Sequence, residues 1–153
     1  MPKERSRVQI HMAIRKFRYE DLEEVAEIAS HSLQEKYTLD FFLYLWQISP
    51  DGFLVAEKNG KVVGFIIALQ PCSEELRILM LAVDKNFRRQ GIGSSLLKEL
   101  LLRFPARRIY LEVRTDNREA IKFYEKHGFR IKEKIENFYT DDSPAFLMEK
   151  VLF

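Results

Sequence analysis

Cysteine is almost absent from this sequence, because Cys72 is the single one in 153 residues. One cysteine cannot form an intrachain disulfide, so a reducing compartment, the cytoplasm, is expected. The three histidines have neither zinc-ligand spacing nor a cysteine cluster beside them, so no metal site is predicted. We interpret Cys72 as a buried or half-buried residue rather than as an acyl carrier.

Long apolar runs and a strong charge imbalance are also missing. No run approaches the roughly 18 residues of a membrane-spanning helix, and the N-terminus lacks a signal-peptide core. The formal net charge of +2, with both signs intermixed, gives no reason to expect nucleic-acid binding. Hydrophobic residues at 46% and charged residues at 31% are typical of a globular domain. We expect a flexible tail over 1–7 and one domain over 8–153, present as a monomer or weak dimer.

Two common nucleotide-binding patterns do not occur either. The Rossmann Gly-x-Gly-x-x-Gly and the Walker Gly-Lys-Ser/Thr are both absent. Arg-x-x-Gly-x-Gly occurs instead over Arg88–Gly93, between an apolar strand, Ile78–Val83, and an amphipathic helix. A helix N-terminus carries unpaired N–H groups and a partial positive charge, and Gly91 and Gly93 let an anion approach them. The sequence therefore predicts a phosphate site, in particular for the pyrophosphate of a nucleotide-like cofactor.

A second segment repeats the order of strand and helix. Ile109–Arg114 alternates as a strand does, which sends Glu112 to the face opposite the apolar residues. Asp116 or Asn117 can cap the following helix, and Gly128 suits the left-handed position after its end. A glutamate in the middle of a strand is unusual. On the residues alone, Glu112 is either a solvated or ion-paired strand residue or a general base.

Hydrophobic periodicity predicts the remaining elements. Strands are expected over 8–15, 53–57, 61–70, 75–83, 108–114, 129–136 and 145–151, and helices over 19–31, 39–48 and 117–127, besides the helix that follows the glycines and ends near Phe104. Asn59-Gly60 predicts a two-residue hairpin turn between the second and third strands. The last two strands are expected to pair antiparallel.

Together the two segments resemble motifs of the GNAT superfamily of N-acetyltransferases. Arg88–Gly93 resembles its acetyl-coenzyme A loop. The string Leu-Glu-Val-Arg-x-x-Asn-x-x-Ala-Ile-x-x-Tyr-x-x-x-Gly-Phe over 111–129 resembles the protein N-terminal acetyltransferases, both the ribosomal-protein enzymes and the archaeal catalytic subunits. The resemblance implies one mixed α/β domain of GNAT type, whose mostly antiparallel twisted sheet of about seven strands is flanked by four helices. It also implies acetyl-CoA as the cofactor.

The resemblance further implies roles for individual residues. Glu112 would act as the general base, directly or through water, and Tyr124 would protonate the leaving thiolate near the cofactor sulfur. Contacts to acetyl-CoA are expected from Leu81, Ala82, Val83, Arg88, Arg89, Gln90, Gly91, Ile92, Gly93, Ser94, Asn117 and Tyr124. Without the resemblance, Tyr124 would be a core residue and Asn117 only a helix cap.

The acceptor is predicted from two loops. The Leu-Gln-Glu-Lys-Tyr segment over 33–37 resembles, at its Leu, Glu and Tyr positions, the Leu-Pro-Glu-Asn-Tyr loop of archaeal and eukaryotic N-terminal acetyltransferases. The resemblance places Glu35 near the substrate N-terminus and Tyr37 in the wall of the peptide pocket, and it implies that Tyr139 contacts the first peptide residues. Asp-Ser-Pro-Ala over 142–145 replaces the Asp-Gly-x-Asp-Ala stretch of the relatives, which leaves the shape of that loop open.

The sequence therefore predicts transfer of acetyl from acetyl-CoA to the α-amine of a protein or peptide N-terminus, by direct attack in a ternary complex. An α-amine costs roughly 3 kcal/mol less than a lysine to neutralise at pH 7. Two other acceptors stay open, a protein lysine and a small amine, for which Asp141-Asp142 is the nearest acidic cluster. A non-catalytic acyl-CoA-binding module is the remaining alternative, and the presence of Glu112 and Tyr124 counts against it.

The second helix carries too many large side chains for one core-facing stripe. They are Phe41, Phe42, Tyr44, Leu45 and Trp46. We interpret them as core residues, with docking of an auxiliary subunit as the alternative.

Overall fold

The computed structural model describes residues 12–152 of the chain. This part contains seven strands and four α-helices. The strands are β1 (Met12–Lys16), β2 (Phe53–Lys58), β3 (Lys61–Cys72), β4 (Glu75–Val83), β5 (Arg108–Arg114), β6 (Arg130–Ile135) and β7 (Ala145–Val151). The helices are α1 (Leu22–Ser32), α2 (Leu39–Ile48), α3 (Ile92–Arg103) and α4 (Arg118–Lys126). The tail expected over 1–7 and the first residues of the strand expected over 8–15 lie outside this range. No helix within 12–152 is long and apolar enough to cross a membrane.

The strands form one mixed sheet in the order β1-β2-β3-β4-β5-β7-β6. The pairs β1–β2, β2–β3, β5–β7 and β6–β7 are antiparallel. β4 and β5 are parallel, since α3 lies between them in the chain and makes the crossover that a parallel pair needs. Their register joins Glu75–Ile78 to Arg108–Leu111. The mixed α/β fold with a mostly antiparallel sheet and four helices is confirmed, as is the antiparallel pairing of the last two strands.

The described residues fall into two compact units. The first consists of 12–68 and 80–103, and the second of 69–79 and 104–152. Large, fully buried side chains of the first unit include Phe42, Phe53, Phe65, Ile66 and Leu96, and those of the second include Leu76, Ile109 and Phe129. Each unit therefore buries an apolar cluster of its own.

Two contacts hold α1 and α3 on the strands of the first unit. A Cβ built on Gly64 in β3 would lie 3.1 Å from the Ala82 carbonyl oxygen and 3.2 Å from Ile92 Cγ2. Glycine at this position lets the first turn of α3 lie directly on the sheet. Glu24 in α1 accepts a hydrogen bond from the Val62 N–H through Oε2 at 3.0 Å. The missing side chain of Gly64 thus allows the close approach of α3, and the Glu24 carboxylate holds α1 against β3.

A buried carboxylate, Asp21, anchors the chain between β1 and α1. It is 4% exposed, and Arg15 donates Nη1 to Oδ2 at 2.7 Å and Nη2 to Oδ1 at 2.9 Å. The Arg18 N–H adds a hydrogen bond at 2.8 Å. Burial disfavours the charged carboxylate, but these hydrogen bonds outweigh that cost and hold the pKa of Asp21 below its usual range.

Backbone geometry confirms three local predictions. Asn59 and Gly60 have φ of 52° and 80° at the β2–β3 turn, the left-handed values of a type I′ hairpin. Asn117 caps α4, since its Oδ1 accepts a hydrogen bond from the Ala120 N–H at 3.1 Å. Gly128 has φ of 91° just beyond the end of α4. In each case the residue type and the backbone conformation are linked within a few positions of the chain.

Two expectations need correction. Cys72 is exposed, not buried or half-buried, because it ends β3 at the surface beside the turn to β4. The first helix begins at Leu22 rather than at Tyr19. Residues Tyr19–Asp21 form a 3₁₀ turn instead, where Asp21 accepts the Arg18 N–H and closes a tight turn before α1 starts.

α2 divides its large side chains between core and surface. Phe42 and Leu45 are buried and Trp46 is half-buried. Phe41 and Tyr44 are 36% and 53% exposed. The core interpretation is confirmed for Phe42 and Leu45 and wrong for Phe41 and Tyr44, since a helix turns one stripe toward the core.

Candidate active site

The predicted site residues come from both units. Those of β4, the β4–α3 corner and the start of α3 lie in the first unit, together with Glu35 and Tyr37. Glu112, Asn117, Tyr124 and Tyr139 lie in the second. Each group is built by contacts within its own unit.

Arg88 holds the corner between β4 and α3. Its Nε donates to the Val83 carbonyl oxygen at 3.1 Å, and its Nη2 donates to Ser32 Oγ at 3.0 Å. The corner is thereby joined to the last residue of α1. Asp84 shapes the turn by accepting a hydrogen bond from the Asn86 N–H at 2.9 Å. Arg88 is therefore a structural brace of this corner, in addition to the charge that the sequence assigned to it.

Gly91 begins α3. Its carbonyl oxygen accepts the Ser95 N–H at 3.0 Å, and its φ is +80°. Arg89 is also left-handed, with φ of 63°. Apart from residues adjacent in the chain, no described residue has an atom within 4 Å of the position that a Cβ on Gly91 would occupy. The first turn of α3 contains no acidic residue, so its N–H groups and the helix dipole suit an anion. These residues fit the pyrophosphate of coenzyme A.

The other residues expected to contact the cofactor differ in whether their side chains are buried or accessible. Leu81 and Val83 are half-buried on one face of β4, whereas Ala82 is buried on the opposite face. Ile92 is also buried, so Ala82 and Ile92 can offer a ligand only backbone atoms. The remaining residues of this group, Arg89, Gln90, Gly93 and Ser94, are exposed or half-buried beside Gly91.

Glu112 lies on the half-exposed face of β5, and its side chain is 13% exposed. Arg77 in β4 donates both Nε, at 3.1 Å, and Nη2, at 3.0 Å, to Oε1 of Glu112. Within the described residues, Oε2 accepts no hydrogen bond. Sequence reasoning missed Arg77, although the period-two alternation of β4 places it on the half-exposed face. Glu112 is thus ion-paired through Oε1, and its second carboxylate oxygen is left for a ligand.

Tyr124 is buried in α4, with 7% of the residue exposed. Its ring packs edge-on against Phe123 and Phe129, at centroid distances of 5.2 Å and 5.4 Å. The hydroxyl makes no hydrogen bond to any residue that the structure describes. These residues also contain no fully buried side-chain nitrogen or oxygen without a partner, so the hydroxyl oxygen reaches the protein surface. Burial raises the pKa of Tyr124 well above its usual value, and the phenol therefore keeps its proton at physiological pH.

Arg114, at the end of β5, braces the loop between β6 and β7. Its guanidinium carbon lies 4.3 Å from the centre of the Tyr139 ring, and its Nη1 donates to Asp141 Oδ2 at 3.2 Å. Asp141 also accepts the Ser143 N–H at 3.0 Å. Asp142 has a left-handed φ of 66°. The loop that carries Tyr139 is therefore a defined structure, and its bracing residue was not found from the sequence.

The α1–α2 loop carries the two other residues predicted to contact an acceptor. Glu35 and Tyr37 are both half-buried. The Tyr37 ring stacks on Phe41 with centroids 5.4 Å apart and meets the edge of Phe42 at 6.0 Å. The start of α2 thus holds Tyr37 in place.

This chain matches the model of the acetyltransferase (GNAT) family over residues 20–129. It belongs to this family, whose members use acetyl-CoA, and it is therefore an acetyl-CoA-dependent acyltransferase.

Curated relatives match over most of their length. An uncharacterized N-acetyltransferase of Methanocaldococcus jannaschii is 37% identical over 143 residues, which cover 91% of each chain. An N-alpha-acetyltransferase of Sulfurisphaera tokodaii is 32% identical over 150 residues, covering 88% of this chain and 90% of its own.

Solved structures agree with these matches. Ard1 from Thermoplasma volcanium is 42% identical with a TM-score of 0.90, covering 94% of this chain and 99% of its own. Arabidopsis thaliana Naa50 in complex with the bisubstrate analogue CoA-Ac-MVNAL is 26% identical with a TM-score of 0.80, covering 92% and 99%. The NatB acetyltransferase complex bound to CoA and MES contains a chain that is 27% identical with a TM-score of 0.80, covering 92% and 99%. The resemblance to the N-terminal acetyltransferases is confirmed.

Proposed function

We propose that this protein acetylates the α-amine of protein N-termini, by direct attack of the amine on acetyl-CoA in a ternary complex. The observation that carries the proposal is the Tyr124 hydroxyl, which ends a ring in a residue that is 7% exposed. It has no hydrogen-bond partner within 12–152. Polar groups of buried residues are normally paired. The Tyr124 hydroxyl is unpaired and reaches the surface, so it is available to a ligand. The relatives named N-alpha-acetyltransferases support the α-amine as acceptor.

The proposed chemistry needs two proton transfers around one acyl transfer. Acetyl-CoA supplies an activated thioester. Glu112 accepts one proton of the incoming ammonium through water, which makes the amine nucleophilic. As the C–N bond forms and the C–S bond breaks, Tyr124 donates its phenolic proton to the departing sulfur. The second proton that the nitrogen loses returns through water to Tyr124, and Glu112 releases its proton to solvent.

The cofactor would be held by the β4–α3 corner. The first-turn N–H groups of α3 would bind the pyrophosphate, with Gly91 and Gly93 allowing close approach and Arg88 and Arg89 adding positive charge. The half-buried face of β4 around Leu81 would lie beside the pantetheine arm. Asn117 already caps α4 through its Oδ1, so its amide NH₂ remains the group it would offer to the cofactor.

Glu35, Tyr37 and Tyr139 are proposed to bind the peptide N-terminus. The small-amine alternative depended on Asp141-Asp142 as an open acidic cluster. Asp141 accepts hydrogen bonds from Arg114 at 3.2 Å and from the Ser143 N–H at 3.0 Å. A carboxylate that already has these partners is a poor site for a free ammonium, so the observation favours the peptide acceptor.

An acetylation assay over a panel of short peptides tests the proposal. The panel contains peptides that begin with Ser, Ala, Met-Leu and Met-Glu, the same peptides with a blocked N-terminus and one internal lysine, and a set of polyamines. Mass spectrometry should find acetyl on the α-amine of unblocked peptides, with matching release of thiol. Acetylation confined to the lysines of blocked peptides, or to the polyamines, would contradict the proposal. Activity of the isolated chain also decides whether an auxiliary subunit, as in the NatB complex, is required.

A further inference from the structure

Glu112, the proposed base, is held in place through only one of its two carboxylate oxygens. Both donors from Arg77 converge on Oε1, at 3.1 Å and 3.0 Å. The carboxylate side chain is 13% exposed and the guanidinium side chain 34% exposed. Oε2 accepts nothing from the part of the chain that the structure describes. The pair therefore divides the carboxylate into one oxygen that is bound and one that is open.

Arg108, a neighbouring cation in the second unit, has other partners. Arg108 donates to Glu149 at 2.7 Å and to Glu75 at 3.3 Å. Its guanidinium also lies over the Tyr110 ring, 4.4 Å from the centroid. Tyr110 is the residue opposite Arg77 in the parallel register. Arg77 therefore reaches diagonally along β5 to Glu112 and is the cation that pairs with that carboxylate among the described residues.

We propose that Arg77 is a positioning residue for acetyl transfer. It holds Glu112 Oε1 and so directs Oε2 toward the water or amine whose proton is removed. The inference rests on the proposed function, since it requires Glu112 to be the base. A glutamate on a strand rotates about three side-chain bonds, and only a small part of that range puts an oxygen within hydrogen-bond reach of a reacting proton.

The chemistry of arginine suits this task. An arginine guanidinium carries its charge and all its N–H donors throughout the physiological pH range. Two N–H groups of one rigid plane converge on Oε1 and hold its position more tightly than a single donor would. A lysine at the same position would supply the charge without the planar fork. The geometry thus predicts that lysine restores part of the effect and an uncharged side chain none.

The first test compares Arg77→Met and Arg77→Lys with a matched control, Arg108→Met, which removes a paired arginine from the same face. Arg77→Met should lower kcat for peptide acetylation by about tenfold or more, as expected when a reacting group is misplaced. KM for acetyl-CoA should stay unchanged in all three variants. Arg77→Lys should recover part of the kcat, and Arg108→Met should keep the kcat of the unmodified protein. Thermal unfolding of each variant reports any loss of folding.

The second test is a double-mutant cycle with Glu112→Gln. If Arg77 acts through Glu112, Arg77→Met should lower kcat no further in the Glu112→Gln background. An equal loss in both backgrounds would overturn the inference, because Arg77 would then act elsewhere. Full kcat in Arg77→Met beside a strong loss in Glu112→Gln would also overturn it, while leaving the proposed base intact. Full kcat in Glu112→Gln would instead remove the base and the inference together.

Discussion

The β4–α3 corner and the β5–α4 segment offer different kinds of groups to a ligand. At the corner the groups suited to a ligand are backbone N–H groups at the start of α3. Arg88 holds this corner through hydrogen bonds to Val83 and Ser32. In β5–α4 they are side-chain oxygens of Glu112 and Tyr124. A backbone site tolerates most side-chain changes except at its glycine. A site built of side chains can be lost by replacing one functional group. Substitutions in the two regions should therefore have different effects on kcat and KM.

The largest effect is expected in β5–α4. Tyr124→Phe removes one hydroxyl and Glu112→Gln one negative charge, with little change of size. Each should lower kcat by about 100-fold or more, the usual contribution of a general acid or base. KM for acetyl-CoA should be nearly unchanged, since the corner is intact. Steady-state kinetics with a peptide acceptor measures both. Tyr110→Phe, which removes a hydroxyl from the same face of β5, is the control, and normal turnover in Tyr124→Phe would eliminate its role as acid.

The buried Asp21 should give the next largest effect, on stability rather than activity. Asp21→Asn removes the buried carboxylate that pairs with Arg15 and leaves Arg15 with Glu57 as its partner, so the free energy of unfolding should fall by about 2 kcal/mol at pH 7, as expected for the loss of hydrogen bonds to a charged group. The folded-state pKa of Asp21 is lowered, so the stability it contributes is present above the unfolded pKa of about 4 and is lost as pH falls below it. The difference between the two proteins should therefore shrink in acid.

Urea unfolding at pH 7 and below pH 4 measures this difference. The control is Asp51→Asn, which breaks the exposed ion pair with Lys16 at 2.6 Å and should change stability by less than about 1 kcal/mol. Equal losses in the two variants would show that burial does not distinguish the pairs.

At the corner, Gly91→Ala should weaken cofactor binding and spare chemistry. A Cβ at φ of +80° is strained by about 1–2 kcal/mol, which shifts the backbone of the first turn of α3. KM for acetyl-CoA should rise by about tenfold, with kcat changed far less. Gly60→Ala is a closely matched control, because Gly60 also has φ of 80° and, apart from its chain neighbours, no described residue within 4 Å of its Cβ position. An equal rise of KM in Gly60→Ala would attribute the effect to general instability.

The smallest effect is expected at the β6–β7 loop. Asp141→Asn weakens the brace that Arg114 forms, so KM for the peptide should rise by about fivefold, while KM for acetyl-CoA stays constant. Asp142→Asn is the matched neighbour, since asparagine also tolerates the left-handed φ of 66°. Peptide KM values for both variants, measured at saturating acetyl-CoA, test this prediction. A change in Asp142→Asn alone would place the brace elsewhere in the loop.

Local chemistry was predictable from the sequence. Asn59-Gly60 specified its turn and Asn117 its helix cap, because the conformation depends on residues only a few positions apart. The acidic turn before α1 was not predictable in the same way. Asp21 lies in the first turn of the helix expected from Tyr19, but its carboxylate accepts the Arg18 N–H and pairs with Arg15 in β1, and the segment forms a 3₁₀ turn instead.

Side-chain partnerships across strands were not predictable. Arg77 and Glu112 are 35 positions apart, and Arg114 and Asp141 are 27 apart. Alternation placed Glu112 on the correct face of β5, but it could not select a partner among the several arginines that face the same way. That selection requires the strand order and register, which depend on the whole sheet.

The sequence by itself determined the family, the glycine-containing corner proposed to bind an anion and the positions of the two groups proposed for proton transfer. These follow from short segments whose residue types specify a turn, a helix end or a strand face. Only the tertiary structure decided that Glu112 is bound at one oxygen and open at the other, and that Tyr124 is buried with its hydroxyl unpaired. It also decided that Cys72 lies at the surface. The physical reason is that burial and pairing depend on neighbours that are distant in the chain and adjacent only after folding.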